Sequence, residues 1–245
     1  MPAEKATALV LRAIDFSESS CVVTLFTREF GKIGALAKGG RRPKGPFEAA
    51  LDLLAICRVV FLRKSSDALD LLTEAKLERR FRPPGRSLAA LYAGYYVAEF
   101  VGELTDQYDP HPDLFDLCAQ TLQNMSQGED PPSAVLRFEL AALGMLGHQP
   151  ALDHCAECGE SPAAGARIAF GLLHGGTLCS RCRGGKRPVV LVSQDAWQVL
   201  RKASREPPEG GAAPLPREGY PEARAVMNQY LSHLVGHPLK MHEML

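Results

Sequence analysis

The chain has 245 residues, 46% of them hydrophobic, which is enough to bury more than one core and sets two or three domains as the expectation. Lysine plus arginine (28) equals aspartate plus glutamate (28), which excludes a general attraction to nucleic acid or anionic membrane and makes any basic surface a local one. No basic flank with a following apolar run opens the sequence, and nowhere do about 18 apolar residues run together, so a cytoplasmic protein with no membrane partner is expected.

Residues 7–82 read as short strands rich in Val, Ile, Leu and Phe, broken by polar and glycine positions. Five strands are expected, at 8–16, 21–27, 32–38, 54–64 and 68–78. Five antiparallel strands in so short a span suit a small barrel, of which the oligonucleotide-binding (OB) fold is the five-stranded example. Between the third and fourth strands, Lys32, Lys38, Arg41, Arg42 and Lys44 interleave with Gly34, Gly39 and Gly40, with Glu29 and Glu48 only flanking them. Such a loop lets phosphates approach the backbone while cationic side chains reach around them, although a charged loop is often only a solvated turn. The sequence nominates no base-stacking side chain: Phe16, Phe26, Phe30, Phe47 and Phe61 are available, and most sit at expected core positions.

Pro83, Pro84 and Gly85 end the strand region. A helical domain then begins, with Ser87 capping a helix to about residue 107, a second helix at 112–127 and a third at 131–147. The third is apolar on nearly every side, through Val135, Leu136, Phe138, Leu140, Leu143, Met145 and Leu146, which predicts burial at the centre of a bundle. After a cysteine-rich insert at 152–190, Ser193 caps a helix carrying Trp197 and Leu200. Residues 206–219 form a Pro- and Gly-rich loop, and 221–235 a last helix. The expected class is α+β: a barrel domain at 1–82, then an all-α domain at 83–245 interrupted by the 152–190 insert.

Cys155 and Cys158, then Cys179 and Cys182, form two pairs, each with two intervening residues and with twenty between the pairs. In a reducing compartment this spacing reads as one metal site, and the remaining Cys21, Cys57 and Cys118 read as core thiols. Each pair fits a turn that points two thiolates at one ion, with Gly159 and Gly184 just beyond. Four thiolates close a tetrahedral shell, so one structural zinc ion is expected. Cys155-Ala156-Glu157 superficially resembles the zinc nucleoside deaminases, but those need three ligands and a water, and Cys158 supplies a fourth thiolate. No P-loop pattern is present. Three readings remain at this level: a DNA-binding adaptor, a zinc-dependent nucleotide-processing enzyme, and a purely protein-binding zinc scaffold.

Several phrases carry a family resemblance. Leu146 to Leu152 (LGHQPAL) followed by Cys155 to Gly159 (CAECG), and Gly175 to Cys182 (GGTLCSRC), resemble the two halves of the zinc knuckle of the bacterial RecO family. Arg137-Phe138-Glu139-Leu140 resembles the RFEL phrase of its third helix, residues 31–44 its basic loop, and residues 230–240 (YLSHLVGHPLK) its closing helix. Departures are Gly45 and Met241, where serine is usual, and the Pro-rich 206–219 segment. The resemblance implies a non-enzymatic mediator of DNA repair and recombination. Such a protein binds single- and double-stranded DNA, anneals complementary strands and works with RecR to load RecA onto DNA coated by single-stranded DNA-binding protein (SSB). It further implies a nucleoid-associated protein, monomeric alone, whose helical domain receives the acidic SSB tail, with Arg137 meeting its carboxylates and Leu140 lining a pocket.

Overall fold

The computed structural model describes residues 3–245 except 43, 44, 46, 48, 49, 65–67, 162–166 and 207–211. It is a mixed α+β chain that divides by packing into two compact units, residues 1–126 and 127–245.

Unit one opens with β1 (Ala3–Asp15), β2 (Cys21–Thr27), β3 (Gly31–Ala37), β4 (Ile56–Leu62) and β5 (Asp70–Arg79). Their order is β1-β2-β3-β5-β4, with β4 returning to β1, so each strand has two neighbours and the circuit closes. All pairings are antiparallel except β3 with β5. The period-2 alternation accounts for the core. Val23, Leu25, Ile33, Ala35, Ala37, Cys57, Val59 and Phe61 turn inward, and alanines at 6, 8, 35, 37, 55 and 75 keep the interior narrow enough for side chains to fill it. β1 starts earlier than the alternation predicts, because Ala3, Glu4 and Lys5 pair with Leu62, Phe61 and Val60 at the edge of the apolar pattern.

Two helices cover the outside of this barrel. α1 (Leu88–Leu104) is capped by Ser87, whose hydroxyl accepts from the Ala90 N–H at 3.2 Å. It packs against β1, where the outward Leu9 and Leu11 are buried. A side chain at Gly94 would strike Leu54 and Phe81, so the helix needs glycine there to approach. α2 (Pro112–Ser126) meets β2 through Phe115 and Phe26, ring centroids 6.1 Å apart, and through a two-pronged ion pair of Arg28 with Asp116.

Unit two is built on α3 (Pro131–Met145), capped by the Asp130 carboxylate, with α4 (Gln194–Arg205) and α5 (Tyr220–Val235) beside it. The insert is more than a knuckle. β6 (Arg167–Gly171), β7 (Gly176–Leu178) and β8 (Val189–Ser193) form a three-stranded antiparallel sheet in the order β7-β6-β8, and Ser193 ends β8 while capping α4. α3 is buried as its composition predicts, but it also buries two charges. Arg137 is 0% exposed and Glu139 0%, the latter paired with Arg224 of α5 at 2.7 Å. Among the described residues no helix is long and apolar enough to cross a membrane.

Candidate metal centre and nucleic-acid interface

The cysteine pairs are brought together by backbone pairing. Ala151 bridges Gly176 in parallel, with Ala151 N–H donating to Gly175 O and Thr177 N–H to Ala151 O, both at 2.8 Å. Ala156 N–H then donates to Thr177 O at 2.8 Å, which lays the first cysteine turn along β7 and the second turn at its end. A side chain at Gly176 would meet the Ala151 backbone, so this approach requires glycine. Gly159, just after the first pair, adopts a left-handed turn (φ 75°). After the second pair that conformation falls at Gly185 (φ 74°), next to Gly184.

All four sulfurs lie within 4.8 Å of one another. Cys158 Sγ and Cys179 Sγ are 3.7 Å apart, far too long for a disulfide and close to the roughly 3.8 Å edge of a tetrahedron with metal–sulfur bonds of about 2.3 Å. Burial alone would raise the Cys155 thiol, but backbone N–H groups of Cys179, Cys158 and Glu157 aimed at its sulfur bring its pKa down to about 6. Cys182 is pushed up to about 12, first by its hydrogen bonds with the Cys179 and Cys158 sulfurs. The Cys179 thiol is lowered as well, first by the backbone N–H of Cys182, so the cluster favours thiolates at Cys155 and Cys179 while crowding resists one at Cys182, and a cation at its centre is what lets all four ionise together. The residues fit a metal ion. Cys21, Cys57 and Cys118 are buried free thiols, and burial pushes Cys57 up to about 12.

Sequence reading did not find how the insert is held. The Trp197 indole N–H donates to Leu152 O at 2.9 Å, Arg201 lies over the Trp197 ring at 4.4 Å and bonds Asp153, and Arg205 bonds Asp153 as well. The helical spacing of Trp197, Arg201 and Arg205 was the available signal.

On the barrel, the turn after β3 presents Lys38, Arg41 and Arg42 as exposed side chains; Lys44 lies outside the described residues. The turn is closed by Arg42 N–H donating to Gly39 O, with Gly39 at φ 79°, and Gly40 has no room for a side chain beside Cys21 Sγ. Arg41 is also tied to the β1–β2 loop and pairs with Asp15 at 3.1 Å. Lys32 departs from the expectation that it joins this cluster. Its ammonium donates to Gly102 O at 2.6 Å and to Thr105 O, where it offsets the negative end of α1, and burial lowers its pKa. Neighbouring Gly31 (φ 70°) abuts the Asp109 backbone, and Tyr108 N–H donates to Lys32 O, so this end of β3 is occupied by the chain itself.

Residues 1–81 match the family model for the N-terminal part of recombination protein O, and residues 85–243 the model for its C-terminal part. The chain belongs to the RecO family. It is 39% identical to the DNA repair protein RecO of Rhodopirellula baltica across 97% of each chain. It is 36% identical to that of Myxococcus xanthus, over 95% of this chain and 93% of the relative, and 33% identical to that of Anaeromyxobacter dehalogenans strain 2CP-1. These relatives are named DNA repair proteins, and an ion held by all four sulfurs would have its tetrahedral shell filled, as in a structural site.

Two residues that the RecO resemblance nominates for an acidic tail are not at the surface. Leu140 is 1% exposed and belongs to the core of unit two. Arg137 is fully buried, its guanidinium already holding Glu206 at 2.7 Å, Glu129 at 3.3 Å and Ala213 O at 2.5 Å. An incoming carboxylate would find that fork filled by groups of the same chemistry. Both side chains are thus enclosed by unit two in this structure.

Proposed function

We propose that this chain is a non-catalytic mediator of recombinational DNA repair whose barrel is an OB fold that binds single- and double-stranded DNA and anneals complementary strands. The observation that carries the reading is the basic turn: Lys38, Arg41 and Arg42 stand exposed at one end of the barrel of a RecO-family chain whose net charge is zero. Local cations of this kind screen phosphates on two strands at once and reduce the repulsion that opposes pairing. No chemical step is required.

The four cysteines would hold one zinc ion, since soft thiolates in tetrahedral array select it, and the ion would fix the shape of the insert. In the RecO reading the partners are DNA, SSB through its acidic tail, RecR, and RecA indirectly. The protein would work in the cytoplasm at the nucleoid, as a monomer when alone. The tail would meet the helical domain that holds Arg137 and Leu140, both of them buried in this structure. Lys32 would act indirectly, by fixing the strand that leads into the turn.

Strand annealing of SSB-coated oligonucleotides, with and without RecR, tests the reading; annealing no faster than the uncatalysed rate in both cases would sink it. The charge-reversal variant Lys38→Glu/Arg41→Glu/Arg42→Glu should weaken single-strand binding. It should also flatten the slope of log affinity against log salt by about 2, because each lost phosphate contact removes roughly 0.7. Titrations at several salt concentrations measure both, and an unchanged slope would remove the turn from the interface.

A further inference from the structure

The β1–β2 loop carries an aromatic side chain that the fold leaves without a packing role. Phe16 is 67% exposed and Ile14 is 43% exposed, whereas Phe26, Phe47 and Phe61 are buried and Phe30 is half-buried against the barrel core. A large exposed aromatic on a loose loop would mean little. This loop is not loose. Phe16 N–H and Ser17 N–H both donate to Ser20 O, at 3.0 and 3.1 Å, and Ser20 N–H donates to the Ser17 hydroxyl.

The same loop is tied to the basic turn by one residue. Arg41 N–H donates to Ser19 O at 3.1 Å, its guanidinium donates to Ser17 O at 2.9 Å, and it pairs with Asp15. The loop that carries Phe16 is therefore fastened to the turn that carries the exposed Lys38 and Arg42.

The adjoining sheet face is also open. Strand alternation puts Arg12 and Ile14 on the outer side of β1 and, continued one step past the strand end, Phe16. Ile14 pairs across to Val22, Val22 to Leu36, and Leu36 to Leu71, all half-buried or exposed. In the next row Arg12 faces Thr24 and Thr24 faces Gly34, which adds no side chain to the surface. The result is an open apolar strip across β1, β2, β3 and β5, next to the loop that carries the aromatic and is fastened to the basic turn. The one acid of this loop besides Asp15 is Glu18.

We propose that Phe16 is a base-stacking residue: an unpaired base of a single strand lies on its ring while the adjacent phosphates lie on Lys38, Arg41 and Arg42. This rests on the DNA-binding reading above and adds strand discrimination to it. Cations alone attract single strands and duplex alike, whereas a stacking ring reaches only a base that is not already stacked and paired. An acidic peptide would satisfy the cations but gives no reason for an exposed aromatic on a loop fastened to them.

The test is fluorescence anisotropy with a labelled oligothymidylate and with a duplex of equal length, each at several salt concentrations, for the wild type, Phe16→Ala and Phe16→Trp. Phe16→Ala should weaken single-strand binding by about 5- to 150-fold, the range for losing one stacked base, with the salt slope and duplex affinity unchanged. Phe16→Trp should restore the single-strand affinity. Full single-strand affinity in Phe16→Ala, or an equal loss on both substrates, would overturn the stacking assignment while leaving the basic turn in place. A wild type that binds neither substrate would overturn both readings. Exposure of the ring means both variants should fold, which the thermal midpoint checks.

Discussion

Cys179→Ser is expected to leave the protein without stoichiometric zinc and to cost unit two about 5 kcal/mol or more, seen as a large fall in soluble yield and thermal midpoint. Zinc sites of four thiolates carry apparent binding energies of order 10–16 kcal/mol near neutral pH, comparable to the whole stability of a domain at roughly 5–15 kcal/mol. The cost should fall short of the full binding energy because the insert has other fastenings, among them Trp197 to Leu152, Arg201 to Asp153 and the β6–β8 pairing. Metal analysis and thermal unfolding measure the two effects together. A metal-free variant with an unchanged midpoint would show that the cluster does not depend on an ion. A well-folded metal-free variant that lost DNA binding would instead move the DNA site toward the insert.

The parts of this molecule that were legible in the sequence are those whose signal is local. β2 and β3 are bounded almost to the residue by alternation, since Val23, Leu25, Ile33 and Ala35 alternate with half-exposed positions. The cysteine pairs are legible because a two-residue gap is itself the geometry of a ligand turn, and the sulfurs do converge. Ser87 and Ser193 announce their helices by the same local logic.

What stayed hidden depends on partners distant in sequence. Lys32 sits at an outward strand position among other cations, and nothing nearby reveals that the end of α1, some seventy residues on, receives its ammonium. β7 is three residues long, too short for alternation to register, and exists because β6 pairs with it. Arg137 and Glu139 interrupt an otherwise apolar helix, and nothing local shows that each is buried against a charge from a remote segment. Phe16 gave a signal that sequence could not weigh, because an aromatic at a strand end is core or surface according to whether the barrel closes over it.

Arg137→Ala is expected to destabilise unit two by about 3–5 kcal/mol, the usual cost of breaking a buried ion pair by removing one partner. The arginine joins three segments. Glu129 precedes α3, Glu206 follows α4, and Ala213 lies beyond residues 207–211, while the nearby Leu215 N–H donates to the Ser133 hydroxyl. Glu129 is the sharper half of the argument, since its side chain is only 6% exposed against 35% for Glu206, so loss of the guanidinium leaves a buried carboxylate short of its cation. For a unit of this size the thermal midpoint should fall by roughly 10–20 °C. Arg137→Lys should recover little, because a single ammonium cannot span two carboxylates and a carbonyl as a planar fork does. If Arg137 were instead a contact for an acidic peptide, Arg137→Ala would weaken peptide binding at an unchanged midpoint. Unfolding curves and peptide titration on the same preparations therefore separate a residue that holds the fold from one that holds a partner.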